Sequence, residues 1–388
     1  MIYLDNSATT ALCPEAAAAM RDVMEHNFGN PSSLHAAGLA AEKTVAAARG
    51  DVLAALGVRG DGRQLIFCGS GSEANNLALI GTYTAKRRRA GARVILTAGE
   101  HASTEAAAVY LASLGADVVR LSTKGGALDL AEAEAALTES TVLVSSMLVN
   151  NETGALYPVA DLFRMAKAKY PDVLCHCDAV QGFLKVPVSP RALGADLVTV
   201  SAHKIHGPKG TAALYVSPEV SKRRALVPLI HGGQQENGLR AGTENVICIA
   251  GFGAAAKVGA ENFAADRATL EALGAHLLDR LSTDSALREI CVNRPASAVP
   301  HIISLTLPDI KSETMLHFLS AKGICVSSGS ACSSHAKKVS RALSAYGLSD
   351  RAADCTLRIS LAHTNTKEEL DALAAALGEG LSSLIRIR

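Results

Sequence analysis

Tryptophan is missing from this 388-residue chain, and aromatic residues together make up only 4% of it. A nucleic-acid binder built on base stacking needs more of them. Net charge is nearly missing too. The 38 Lys and Arg stand against 37 Asp and Glu, a formal charge of +1 at pH 7, so the basic face that tracks a phosphate backbone is not supplied. No apolar run approaches the roughly 20 residues of a membrane span; the longest uncharged stretches lie near 246–256 and 141–148. Asp5 and Asn6 occupy the place where a signal peptide carries its apolar segment. The nine cysteines include no Cys-x2-Cys pair, which fits neither a disulfide framework nor a common zinc module. These absences predict a cytoplasmic protein with no direct nucleic-acid, membrane or metal partner.

What is present is a core. Apolar residues form 48% of the chain and the mean hydropathy is +0.19, which excludes disorder. The length suggests two domains. Short β-branched runs at 64–68, 93–97, 117–121, 142–149, 173–178, 196–201 and 211–216 alternate with Ala-rich helical periodicity, as in 73–86 and 130–137. Near-continuous Val, Ile and Leu predict strands buried on both faces of a mainly parallel sheet, and hence an α/β domain with helices on both faces. Beyond about residue 260 the texture changes to a long helix (265–282), separate strands at 301–307 and 357–361, and a final helix opened by Thr366-Lys-Glu-Glu369, a capping-box match. That second region reads as a smaller α+β domain.

Four clusters carry chemistry. First, the strand at 64–68 runs into Gly69-Ser-Gly-Ser72 and then a helix, an arrangement that aims free N–H groups at an anion. The same spacing fits G-x-G-x-x-A, so a dinucleotide site competes at this point. Second, Asp178 ends a buried strand, where ligands of open α/β sheets bind; a carboxylate there needs a cation or several donors. Cys175 and Cys177 share one strand face and His176 the other, which defeats a metal site. Third, Lys204 follows another buried strand and is flanked by Ser201 and His203. A lysine in apolar surroundings loses its proton and bonds carbonyls. A phosphate cradle, a strand-end Asp and a strand-end Lys are what pyridoxal phosphate needs for its phosphate, its ring nitrogen and its aldehyde. A dinucleotide leaves Asp178 and Lys204 without a task. Fourth, Cys332 sits in Ser328-Gly-Ser-Ala-Cys332, a small-residue run suited to a loop whose thiol attacks as thiolate.

These residues resemble the NifS/IscS-type cysteine desulfurases, class-V aminotransferase relatives with the aspartate-aminotransferase-like fold of pyridoxal-phosphate-dependent transferases. The resemblance runs through Tyr3-Leu-Asp-Asn-Ser-Ala-Thr-Thr10, Asn30-Pro-Ser-Ser33, Glu100-His101, Val149-Asn-Asn-Glu152, Asp178-Ala-Val-Gln181, Ser201-Ala-His-Lys204, Arg240-Ala-Gly-Thr243 and Ser328-Gly-Ser-Ala-Cys332. It implies a mainly parallel seven-stranded sheet in a large cofactor domain over 14–259. A smaller α+β domain of 1–13 and 260–388 would carry the cysteine loop. Lys204 would bond the cofactor, Asp178 would pair with its ring nitrogen, and His101 would stack on the ring and move protons. Asn151 and Gln181 would hydrogen-bond around the ring, while Gly71, Ser72, Ser201 and His203 would bind phosphate. Thr243 would reach the phosphate of the other subunit of a homodimer. Arg358 would bind the substrate carboxylate, with Asn151 beside it. The implied activity converts L-cysteine to L-alanine and leaves sulfur as a persulfide on Cys332, for transfer to an iron–sulfur scaffold or a tRNA-thiolation enzyme. The segment after Cys332, Ser333-Ser-His-Ala-Lys-Lys-Val-Ser, departs from the iron–sulfur branch and is closer to relatives that serve tRNA thiolation. The rival readings are a selenocysteine lyase or another pyridoxal-phosphate lyase or aminotransferase, a relay protein that only carries persulfide, and a nucleotide-dependent oxidoreductase.

Overall fold

The computed structural model describes residues 1–60, 62–86, 91–328 and 340–387. All seven strand-like runs form strands of one sheet, within two residues of their expected ends. Across the sheet the order is Leu65–Cys68, Ala212–Val216, Leu197–Ser201, Leu174–Asp178, Thr141–Met147, Arg93–Thr97, Asp117–Leu121. Ala212–Val216 pairs antiparallel with both neighbours, and the remaining pairs are parallel. The carboxyl ends of the parallel strands therefore open on one edge. Every residue of Leu65–Cys68, Thr141–Met147, Leu174–Asp178 and Leu197–Ser201 is buried, because helices cover both sheet faces. Phe163, Phe183 and Phe252 pack on one side, and Leu77, Leu79 and Leu111 on the other.

The C-terminal region has its own apolar cluster, including Leu273, Leu305, Leu357 and Leu377, and Leu4 from the N-terminus joins it. Its three-stranded antiparallel sheet runs Thr356–Ser360, Ile302–Thr306, Cys291–Asn293. The N-terminal strand Ile2–Tyr3 pairs with Ile324–Cys325. The helix Lys367–Ser383 starts with the expected capping box: Glu369 N–H donates to Thr366 Oγ1 at 3.3 Å and Thr366 N–H to the Glu369 carboxylate at 3.2 Å. Its Leu370, Leu373, Leu377 and Leu381 are buried. Among the described residues no single helix is long and apolar enough to cross a membrane.

One helix differs from its periodicity. In place of a continuous helix over 73–86, an α-turn segment Gly71–Asn76 passes into a π segment Leu77–Gly81 and back to α over Thr82–Lys86. The last residue of the π segment is tied outside its own helix: Val227 N–H reaches the Gly81 carbonyl at 3.3 Å. Only tertiary contact supplies that partner, so residue spacing could not announce it.

Helix Val246–Glu261 crosses helix Ala36–Ala55 at close range: a Cβ on Gly253 would lie 2.5 Å from Ala48 Cα. Because the obstacle is backbone, Gly253→Ala is expected to lower stability by about 1–3 kcal/mol, measured as the loss in urea unfolding free energy. Unchanged stability would mean that the two helices slide apart freely.

Candidate active site

Four strands and the turns that follow them converge at the open sheet edge. Asp178 is the last residue of its strand and is 5% exposed. Its Oδ2 accepts from Asn75 Nδ2 at 2.7 Å and its Oδ1 from Val180 N–H at 3.0 Å. Two donors make the buried carboxylate tolerable. Asn75 also donates to Ser103 Oγ at 3.0 Å, and Ser103 Oγ lies 2.8 Å from His101 Nδ1. Ser103 N–H reaches the same ring nitrogen at 3.2 Å. Nδ1 is therefore the acceptor of the ring, and the neutral imidazole carries its proton on Nε2.

Beneath Asp178 the neighbouring groups avoid charge. Glu100 Oε1 accepts from Thr97 Oγ1 and, at 2.6 Å, from Met147 N–H, while Oε2 is buried with no partner among the described residues. Burial is the main cause that pushes Glu100 up to about 8, and the charge of Asp178 adds to it. His176, buried between Ser145 Oγ (2.9 Å) and Thr199 Oγ1 (3.0 Å), is pulled by burial down to about 4. Cys175 and Cys177 are buried thiols pushed up by burial, and among the described residues no cluster suits a metal.

Lys204 ends the short turn Ala202–Lys204 after strand Leu197–Ser201. Its Nζ donates to the Ser7 carbonyl and, at 2.7 Å, to the Ala8 carbonyl. Gln181 Nε2 donates to the Ser7 carbonyl at 2.9 Å. His203 Nδ1 lies 3.3 Å from Thr9 Oγ1, and burial followed by the charge of Lys204 pulls its ring down to about 4. Arg358, 2% exposed, donates from Nη2 to Asp5 Oδ1 at 2.7 Å and from Nη1 to the Asn151 carbonyl at 3.0 Å; its Nε has no partner among the described residues.

A cavity of about 240 Å³ is lined by Gly71, Ser72, His101, Asn151, Asp178, Gln181, Ser201, His203, Lys204 and Arg358. Ten expected site residues thus meet at one place. Thr243 does not: it is exposed, next to Gly242, and lines none of this cavity. Cys332 lies outside the described residues. A wider depression of about 1020 Å³ around Arg49, Arg59 and Arg63 holds none of the expected residues. Residue order assigns no role to Asn75, Ser103, Glu100 or the carbonyls of the Tyr3–Thr10 motif. Their placement depends on which helix face turns inward, and the backbone carbonyls that hold Lys204 leave no side-chain signal.

The lining fits pyridoxal phosphate. Ser201 Oγ and Gln181 Oε1 are buried without partners among the described residues, so they await acceptors or donors from a ligand. A Cβ on Gly71 would come within 3.4 Å of Val180 and 3.7 Å of Ser201, closing space that glycine leaves open. An amine, a carboxylate and an anion-ready helix start supply what aldehyde, ring nitrogen and phosphate need.

The state of Glu100 has a measurable consequence. The folded chain keeps a proton to about pH 8 that an unfolded carboxyl releases near 4.3. Its contribution to stability therefore declines as pH rises from about 4 to about 8 and is flat above. Glu100→Gln keeps the accepting oxygen and is expected to remove that part of the decline, read as unfolding midpoint against pH. Superimposable curves for the two proteins would contradict a protonated Glu100.

Comparison with known proteins agrees with this site. A family model, aminotransferase class-V, matches residues 2–373. Cysteine desulfurase IscS of Dictyoglomus turgidum is 35% identical over 372 residues, which cover 95% of this chain and 92% of that one. Among solved structures, a NifS-like protein superposes with a TM-score of 0.90 at 33% identity, over 99% of this chain and 100% of its own. A structure described as SspA in complex with cysteine reaches a TM-score of 0.81 at 30% identity, over 94% of this chain and 100% of that one. The fold, the cavity chemistry and this similarity converge: the chain belongs to the class-V aminotransferase family, as a pyridoxal-phosphate-dependent cysteine desulfurase of the NifS/IscS type.

Proposed function

We propose that this desulfurase works through the ten residues of the cavity together with Cys332 and a partner subunit. The observation that carries the reading is the meeting, in one cavity, of a buried, doubly hydrogen-bonded Asp178 carboxylate with the Lys204 amine. Lys204 would bond the cofactor's aldehyde, Asp178 would pair with its ring nitrogen, and Gly71, Ser72, Ser201 and His203 would hold its phosphate. When bound, pyridoxal phosphate supplies an electron sink next to the substrate's α-carbon.

Arg358 and Asn151 orient the carboxylate of L-cysteine. Asp5 and the Asn151 carbonyl already take the two Nη groups of Arg358, so the Nε, without a partner among the described residues, is the part left for substrate. Lys204 and His101 move protons at Nζ and Nε2, and Gln181 would hydrogen-bond beside the ring. The Cys332 thiolate attacks the substrate sulfur; the carbon–sulfur bond breaks, alanine leaves and the persulfide stays on Cys332. The exposed Thr243 completes the phosphate site of a second subunit, making the enzyme a homodimer. It works in the cytoplasm and hands sulfur to an acceptor protein, an iron–sulfur scaffold or a tRNA-thiolation enzyme. The segment following Cys332 favours the second. The SspA structure with cysteine supports the substrate.

With L-cysteine and a thiol reductant, alanine and sulfide are expected in equal, multiple-turnover yield. Cys332→Ala should keep bound cofactor and lose both products; full activity in that variant would end the assignment of Cys332. Asp178→Asn removes a charge-assisted hydrogen bond of about 1.5–3 kcal/mol, so cofactor retention should weaken about 10- to 100-fold in equilibrium dialysis.

A further inference from the structure

Strand Leu65–Cys68 forms one edge of the seven-stranded sheet, and among the described residues no strand pairs with its outer side. Side chains take the place of a strand there. Glu236 Oε2 accepts from Phe67 N–H at 2.8 Å, and Arg49 Nη1 donates to the Leu65 carbonyl. Arg49 and Glu236 bind each other through two hydrogen bonds, of 2.7 and 2.8 Å. Glu236 and Asn237 take φ of 50° and 58°, a left-handed pair that such residues keep only where their surroundings hold them. Directly after the strand the arrangement recurs with other residues. Glu73 Oε2 accepts from Gly69 N–H at 2.8 Å, and Arg240 donates from Nε to Glu73 Oε1 at 2.9 Å and from Nη2 to Oε2 at 3.5 Å.

This second pair packs on the turn that leads into the cavity. A Cβ on Gly69 would lie 2.9 Å from Glu73 Oε2 and 3.7 Å from Arg240 Nη2. Ser70 Oγ accepts from Glu73 N–H at 3.1 Å, and Ser70, Gly71 and Ser72 line the cavity. Ser201, whose buried Oγ has no partner among the described residues, lines it with them. A carboxylate bonded two residues before Gly71 sets a negative charge against any anion seated there. The side chains of Glu73 and Arg240 are 23% and 26% exposed, so water screens them only in part. The charge of Glu236 is matched by Arg49. Lys209 lines the adjoining depression with Ser70 and Ser201, but the guanidinium hydrogen-bonded to Glu73 is that of Arg240.

We propose that Arg240 is a positioning residue for the cofactor's phosphate and acts through Glu73. Glu73 fixes the turn by holding Gly69 N–H, and Arg240 cancels the negative charge that Glu73 would otherwise set against the phosphate. The turn thereby gains a carboxylate clamp without its repulsion. The inference rests on the reading that Gly71, Ser72, Ser201 and His203 hold the phosphate.

The test compares the affinity of the full chain, freed of cofactor, for pyridoxal phosphate and for pyridoxal, which lacks the phosphate, by equilibrium dialysis. Arg240→Met should weaken pyridoxal phosphate about 10-fold and leave pyridoxal unchanged, lowering the ratio of the two affinities. Arg240→Gln repeats the measurement if the Met variant does not fold. Glu73→Gln keeps an oxygen for Gly69 N–H and sheds the charge, so adding it to the Arg240 variant should restore the ratio. A merely structural ion pair would move both affinities together and give no such recovery. Ser201→Ala should lower the ratio through the phosphate site itself. An unchanged ratio in the folded Arg240 variant, or no recovery with Glu73→Gln, while Ser201→Ala lowers the ratio, overturns the role of Arg240 alone. An unchanged ratio in Ser201→Ala overturns the reading of the phosphate site and this inference with it.

Discussion

A carboxylate at the inner end of a central strand is costly in a dry interior, and the surroundings of Asp178 are arranged to keep it there. Two N–H donors, one from the Asn75 side chain and one from the backbone of the turn, satisfy its oxygens. Its neighbours decline to add charge: Glu100 holds its proton to about pH 8 and His176 releases its own at about 4. Both choices follow from burial, since a low dielectric penalises every additional ion. The single charge that remains faces the cavity.

The same device extends outward. Asn75 passes its second hydrogen bond through Ser103 to His101, so the carboxylate and the imidazole share one oriented chain. Across the cavity the N-terminal segment does the equivalent work with main-chain carbonyls: Ser7 and Ala8 receive the Lys204 amine, and Ser7 also receives Gln181. That segment is itself fastened to the C-terminal sheet. Asn6 Nδ2 donates to the Ser360 carbonyl at 2.9 Å, Ser7 N–H to Ser360 Oγ at 2.8 Å, and Asn365 to the Tyr3 carbonyl at 3.0 Å. Arg358, from the same strand as Ser360, closes onto Asp5. The position of the lysine therefore depends on residues more than 150 places away in both directions along the chain.

Much of this was legible from residue order. The seven strands announce themselves because strands covered on both faces must be apolar throughout, and the final helix because its cap and its leucine stripe are local patterns. The anchors Asp178 and Lys204 were legible because ionisable residues at the ends of such strands are out of place unless something answers them. The π segment at Leu77–Gly81 was not, since its apolar spacing is that of an ordinary helix and its contact with Val227 is remote in sequence. Asn75 and Ser103 were not, because the helix face that turns inward depends on how the helix lies on the sheet. Thr243 is exposed and lines none of this cavity.

The amino-acid sequence by itself determined the alternation of strands and helices, the places where the chain turns at the sheet's open edge, and the kinds of group presented there. Those are consequences of local periodicity, turn chemistry and the cost of burying charge. Tertiary structure alone decided which donors satisfy Asp178, which carbonyls hold Lys204, that Arg358 meets Asp5, and that Arg240 meets Glu73. Hydrogen bonds and desolvation act over a few ångströms of space, and the distances that matter to them are set only when the chain has closed on itself.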